Sequence, residues 1–284
     1  VELIVQTFIS GLGQSAVFLM LSVGLALLFG VMRILNFAHG DLMTLAAYIG
    51  YSVVGLGLGL APALVAMLAV MAAVGAVFHF AVLRPSGRRM EDLQVVATFG
   101  AGVAIQGLIS IIWGPNPVAV EQDVSAIHWG GILITTATVR NVVIAAVSFA
   151  VLLVILTKTP LGRQIRAVSQ DPVAAQLMGV NTKAVTAITS VIGVMFAGVG
   201  GFFLLTTSSL SPTLGFSFVL YAFAIVVVAG MGSMTGAAIA SLILGMASAY
   251  VALLAGSVYA GMVPFVAIIL ILIIRPSGLA GARR

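Results

Sequence analysis

Val142-Val143-Ile144-Ala145-Ala146-Val147-Ser148-Phe149-Ala150-Val151-Leu152-Leu153-Val154-Ile155-Leu156 is a run of apolar residues broken only by Ser148, with Arg140 ahead of it and Lys158 behind it. A hydrocarbon core ~30 Å thick needs about 20 predominantly apolar residues in helical form, and with its flanks the run (139–157) is that long. Working outward, similar runs occupy 4–32, 42–58, 62–82, 93–112, 184–205, 218–230, 236–256 and 258–274. Of the 284 residues, 62% are hydrophobic and only 7% charged, and mean hydropathy is +1.26. A soluble domain carries roughly 25% charged residues, so water could not solvate this surface. The short alternating segments of a membrane β-barrel are missing. The expected fold is an all-α membrane protein, a single polytopic helical bundle over residues 1–284. About eight helices are expected to cross fully, and 218–230 is too short to do so unless distorted or re-entrant.

Charge orients the bundle, because basic residues concentrate on the cytoplasmic side. Arg84, Arg88 and Arg89 share one loop, Lys158, Arg163, Arg166 and Lys183 another, and Arg275, Arg283 and Arg284 end the chain. Alternating crossings put these groups and Arg33 on one side, and only Arg140 opposite. That places the C-terminus in the cytoplasm and, with nine segments crossing, the N-terminus outside. The net charge of +5 is therefore a matter of topology, and no nucleic-acid partner is expected. No basic n-region with a small-residue cleavage site precedes the first run, so no cleaved signal peptide is expected.

The two largest loops differ in kind. The external one, 113–138, carries Glu121 and Asp123 without Lys or Arg, and holds Gly114-Pro115-Asn116-Pro117 and Gly130-Gly131 around β-branched stretches. These turn formers predict a small hairpin-like cap, with Trp113 and Trp129 as interface anchors. In the cytoplasmic loop, 158–183, Thr159-Pro160 opens a short helix over 161–169. Asp171 and Pro172 supply the N-cap and first position of a second. Gly179 suits its end, and Asn181 or Thr182 caps the next membrane helix. Two capped amphipathic helices either lie on the lipid surface or dock a protein.

Catalytic chemistry is poorly supported. With no cysteine, thiolate metal sites are excluded. His39, His79 and His128 are far apart, no HExxH occurs, and Gly230–Gly236 lacks the nucleophile-elbow spacing. Neither Lys158 nor Lys183 follows a phosphate-loop pattern, so the chain is expected not to hydrolyse ATP. Ionisable groups inside a bilayer cost about 2.5–3.5 kcal/mol and are functional suspects. The one carboxylate so placed is Asp41, in Asn36-Phe37-Ala38-His39-Gly40-Asp41. It reads equally as a helix cap after the Gly40 break and as a pathway group, since broken helices expose backbone dipoles to polar substrates. Gly193, Ala197 and Gly201, and Gly232, Gly236 and Ala240, recur at the four-residue spacing that allows close helix approach, within one subunit or between two. Gln14, Gln94, Thr98 and Gln106 read as interhelical hydrogen-bonding groups.

These residues together resemble a known family. Gly24–Asp41 followed by Ala47-Tyr48, then Arg84-Pro85, Gly162-Arg163, Arg166–Pro172 and Met178–Asn181, are similar in order to signatures of the LivH-type branched-chain amino-acid ABC permeases. So are the glycine-rich Gly230–Gly236 and the ending Arg275–Leu279. The resemblance covers nearly the whole chain. It implies a bacterial inner-membrane importer subunit forming half of a heterodimeric pore with a LivM-type subunit. Two cytoplasmic ATPases using ATP and Mg would drive it, a periplasmic binding protein would deliver substrate, and this chain itself would bind no cofactor or metal. The loop 158–183 then looks like the segment that couples to an ATPase, with Arg163, Arg166, Asp171 and Pro172 as contact or loop-ordering residues. Asn36, His39, Gly40, Asp41, Gly230, Gly232 and Ser233 are the candidate path residues. The resemblance implies branched-chain or other hydrophobic amino acids as substrates, with urea, amides or aromatic acids as the alternative. A stand-alone secondary carrier and a non-transporting scaffold are the rival classes.

Overall fold

The computed structural model describes residues 2–86, 91–120, 126–129, 132–275 and 277–280. Arg88, Arg89, Glu121, Asp123, Gly130-Gly131, Arg283 and Arg284 lie outside them, as does the side chain of Trp129. In chain order the helices are α1 (Glu2–Met32), α2 (His39–Gly55), α3 (Leu60–Phe78), a π-helical turn (His79–Leu83), α4 (Arg84–Ser86) and α5 (Glu91–Trp113). Strands β1 (Ala126–Trp129) and β2 (Ile132–Thr135) come next, then α6 (Thr136–Lys158), α7 (Pro160–Gln170), α8 (Pro172–Leu177) and α9 (Thr182–Thr207). Last are α10 (Leu214–Ala229), α11 (Met234–Ala255), α12 (Ser257–Ala260) and α13 (Val263–Ile274).

The chain is a multi-pass helical membrane protein; the expected eight full crossings are not confirmed. Among the described residues, six helices are long and apolar enough to cross by length and composition: Glu2–Met32, Leu60–Leu83, Leu93–Trp113, Thr136–Lys158, Thr182–Thr207 and Met234–Ala255. Helix α2 has 17 residues, α10 has 16 and α13 has 12. At ~1.5 Å per residue they reach roughly 18–26 Å, short of the ~30 Å core. The reason is backbone breaks that hydropathy does not register. Arg33 takes a left-handed φ of 58° just after α1, and residues 208–213 leave the helix between α9 and α10.

These breaks have a pattern. Long α1 is followed by a break (33–38), half-length α2 and long α3; long α9 is followed by a break (208–213), half-length α10 and long α11. The packing matches under exchange of the two sets. Helix α1 lies on α11 as α9 lies on α3, α2 on α9 as α10 on α1, and α2 on α5 as α10 on α13. The end of α1 (Met32, Ile34) shares a cavity with the start of α9 (Asn181–Ala187), so the two long helices run antiparallel. The bundle is an inverted repeat, an arrangement that places a polar path where half-helices meet near the midplane. Many of the largest fully buried side chains, among them Leu21, Leu25, Leu28, Met43, Tyr48, Phe202 and Phe203, come from α1, α2 and α9, with Met67 and Met71 of α3 beside them.

The ends agree with the sequence reading. Strands β1 and β2 form the expected antiparallel hairpin, Ala126 opposite Thr135 and Trp129 opposite Ile132. The start of α1 lies against it, the Gln6 side-chain amide donating to the Leu133 carbonyl at 3.4 Å. Trp113 is more than an interface anchor, because its indole N–H donates to Ser52 Oγ (2.7 Å) and its ring lies against Tyr48. Arg140, expected alone on the outer side, has its guanidinium over the Phe202 ring at 5.5 Å. The recurrent small residues serve packing within the chain: Gly193 faces α1 at Leu28 and Gly24, and Gly201 faces α2 at Met43 and Ala47.

Candidate substrate path and coupling tip

Helix α2 begins beside the middle of another span. Gly102, halfway along Leu93–Trp113, lies so close to Asp41 and Ala38 that a Cβ there would strike the Asp41 carboxylate. Phe37 N–H donates to Thr98 Oγ1 (3.3 Å), and that hydroxyl donates back to the Gln94 carbonyl (2.9 Å), so α5 holds the break in place. The first turn of α10 abuts the first turn of α2 through two glycines. A Cβ on Gly40 would fall on the Gly215 carbonyl, and one on Gly215 would lie 2.6 Å from Asp41 N and from Gly40 C. The two helix N-termini thus meet, each with positive dipole character, and the Asp41 carboxylate sits between them.

Asp41 is 4% exposed, and Gln106 Nε2 donates to its Oδ1 at 2.9 Å. Beside them is a pocket of about 270 Å3 walled by Phe37, Phe99, Val103, Phe216 and Val219, with Thr213 also lining it. A carboxylate, an amide and a hydroxyl against aromatic and branched walls suit a small amphiphile. Phe99, Val103 and Phe216 are about half exposed, so the pocket opens sideways out of the subunit.

Of the sequence candidates, Gly40 and Asp41 meet at this junction, and only Asp41 lines the pocket. Asn36 is buried in the break, its Oδ1 accepting from Ala38 N–H (3.1 Å) and its Nδ2 without a partner among the described residues. His39 is fully buried, its ring against Gly24. Gly230, Gly232 and Ser233 lie at the far end of α10, roughly 24 Å of helix from Gly215. There Gly230 (φ 92°) and Gly232 (φ 87°) form a left-handed turn, and Ser233 Oγ caps α11 by accepting from Gly236 N–H (3.0 Å). The C-terminal segment closes that end: Leu279 and Ala280 N–H donate to the Val228 and Ala229 carbonyls at 2.9 and 3.0 Å, satisfying acceptors α10 leaves open.

At the opposite end from the hairpin, α7 and α8 form the punctuated tip. Thr159 Oγ1 accepts from Gly162 N–H (3.1 Å), and Asp171 Oδ1 accepts from Val173 and Ala174 N–H (2.8 and 3.0 Å), with Pro172 at the first position of α8. Gly179 takes φ 83°, and Asn181 rather than Thr182 caps α9. Arg166 Nη1 donates to the Leu156 carbonyl, tying α7 to the end of α6, while Arg163 is exposed. Val173 (63% exposed), Leu177 and Met178 (84% each) project from the tip.

The sequence profile described as branched-chain amino acid transport system / permease component matches residues 7–272. The chain belongs to this family. It is 27% identical over 293 residues to the high-affinity branched-chain amino acid transport system permease protein LivH of Escherichia coli K12, covering 97% of this chain and 95% of that one. It is also 28% identical over 272 residues to the ribose import permease protein RbsC of the same organism, covering 93% and 83%. A solved structure, PsaBC from Streptococcus pneumoniae in complex with Fab, covers 97% of this chain and 91% of that one at 14% identity and a TM-score of 0.47. Within this permease Gln106 is the interhelical hydrogen-bonding group its sequence context suggests, but its partner Asp41, 65 positions away, was not legible. The exposed Val173, Leu177 and Met178 were hidden by the apolar character expected of any amphipathic helix.

Proposed function

We propose that this chain is the permease subunit of an ATP-driven importer for branched-chain or other hydrophobic amino acids, forming half of a heterodimeric pore. The observation that carries the substrate reading is the Asp41–Gln106 pair set among Phe37, Phe99 and Phe216. A carboxylate in a low-dielectric site favours a cationic group, and an α-ammonium supplies one. The apolar walls accept a branched side chain, and Gln106 and Thr213 can meet the substrate carboxylate. A sugar, the substrate named for one relative, offers no cation. The sideways opening is where a LivM-type subunit completes the path.

This subunit does no chemistry of its own; two ATPases supply ATP hydrolysis with Mg, and a periplasmic binding protein delivers substrate. The chain resides in a bacterial inner membrane, with α7, α8 and the C-terminus facing the cytoplasm. Helices α7 and α8 are rigid because both are capped, and the exposed Leu177 and Met178 give an ATPase groove an apolar grip. Two substitutions test this coupling. Leu177→Asp with Met178→Asp places two charges on the contact, and the ATPases should no longer co-purify with the permease. Arg163→Glu with Arg166→Glu should leave ATP hydrolysis running while uptake falls by about tenfold or more. Unchanged uptake in that variant would remove the two arginines from coupling.

The substrate reading is tested by competition. Labelled leucine uptake by the reconstituted importer should be suppressed by excess isoleucine or valine and unaffected by ribose or urea. Suppression by ribose alone would overturn the assignment.

A further inference from the structure

The two halves of the inverted repeat each carry a cavity in the same place, between the first turns of the long helix and the end of the third helix. In one half it holds about 620 Å3 between the start of α1 (Gln6, Thr7, Ser10, Gln14) and the end of α11 (Ser248). In the other it holds about 380 Å3 between the start of α9 and the π-helical turn that ends α3. The equivalent positions differ in chemistry. No lining residue of the α1–α11 cavity is charged, whereas the exposed Arg84 and Lys183 line the α9–α3 cavity together with the apolar Met32, Ile34, Phe80 and Leu83.

Both cations stand at span boundaries: Arg84 comes directly after the Leu60–Leu83 span, and Lys183 is the second residue of Thr182–Thr207. Below them exposed Val77, Phe80 and Ile188 continue an apolar face toward the bilayer centre. The π-helical turn contributes both Phe80 and Leu83 and carries the chain into Arg84, whose guanidinium lies 5.8 Å from the Phe80 ring. Such turns often mark functional positions in otherwise regular helices. His79 Nδ1 lies 2.9 Å from Ser190 Oγ, which fixes the wall behind the cavity.

We infer that the cavity between α9 and the π-helical end of α3 is a binding site for an anionic glycerophospholipid. The headgroup phosphate lies between Arg84 and Lys183, and an acyl chain runs along Phe80 and Val77. Basic pockets between membrane helices hold anionic headgroups, and here the apolar lining accepts the chain that free phosphate lacks. The uncharged cavity of the other half is the internal contrast, with the same architecture and no phosphate partner.

Native mass spectrometry of the purified importer assembly, titrated with phosphatidylglycerol, phosphatidylcholine or inorganic phosphate, tests the inference. Phosphatidylglycerol should bind in preference to the other two. The affinity should fall by about thirtyfold in Arg84→Gln with Lys183→Gln, the effect of two cations beside an anionic group. Arg84→Lys with Lys183→Arg should retain it, and so should Lys158→Gln with Arg275→Gln, which removes two charges elsewhere. Equal loss in both glutamine pairs would mean diffuse attraction without a site, and equal binding of phosphatidylcholine would remove the phosphate contact. Binding of inorganic phosphate as tight as that of phosphatidylglycerol would remove the lipid. In the unmodified assembly, photoreactive phosphatidylglycerol should label the peptides holding 77–84 and 183–188. Absence of label there would mean that protein covers the cavity, and would overturn the proposal.

Discussion

Replacing Gly40 with alanine is expected to remove uptake and most of the folded protein. The added methyl would occupy the position of the Gly215 carbonyl and lie 2.9 Å from Val219 N. The obstacle is backbone on both sides, so no side-chain rotation relieves it. Overpacking a core usually costs about 1–3 kcal/mol; a contact that separates two half-helices should exceed that range. Gly215→Ala meets the same junction from the other side and should behave alike. Gly55→Ala, in the same helix with nothing within 4 Å of the new methyl, should be neutral or slightly stabilising, since alanine favours helix over glycine. Detergent-solubilised yield and Tm compared across the three variants check this. A Gly40→Ala protein as stable as Gly55→Ala would show that the half-helices do not meet at these glycines.

Asp41→Asn should lower uptake about tenfold or more while leaving yield, Tm and ATPase association unchanged. Asparagine keeps an oxygen for the Gln106 amide and removes the charge. A charged hydrogen-bonding partner is worth about 1.5–3 kcal/mol, which corresponds to roughly tenfold or more in affinity. The structural role of the side chain predicts the reverse pattern, a loss of stability with uptake per folded molecule preserved. Measuring Tm and uptake on the same preparations separates the two. Asp41 is not the cap the sequence offered, because α2 starts at His39 with Ala38 at the N-cap and no side-chain cap bond, so Asp41 lies inside its first turn; uptake equal to that of the unaltered protein would leave it a structural partner of Gln106 and put the substrate path elsewhere.

Much of the fold was legible because membrane insertion and capping are local. The long apolar runs found α1, α3, α5, α6, α9 and α11 within a few residues, and Thr159, Asp171, Pro172, Gly179 and Asn181 marked the ends of α7, α8 and α9 where the structure has them. The turn-forming glycines and prolines of the sequence at 114–117 and 130–131 announced the hairpin of β1 and β2. Of the half-length helices, α10 was legible, because the run 218–230 is too short to cross, and it is 16 residues long; α2 was not, since the break in φ and ψ at 33–38 leaves no mark on hydropathy. Nor was the site. Gly40 and Gly215 are far apart in the chain, and nothing local to either identifies the other as its neighbour. Gly230–Gly236 drew notice for its glycines and its resemblance to a family signature; Gly230 and Gly232 take positive φ at a turn, and Ser233 serves as a cap.

The central claim, a permease half whose energy comes from outside the chain, is tested most directly by ATP dependence. Proteoliposomes holding this chain with a partner permease and two ATPases, supplied with the binding protein outside, should take up labelled leucine only with ATP and Mg at the ATPase face, and not when the ATPases are omitted. Uptake by this chain without ATPases, driven by an ion gradient, would contradict the account.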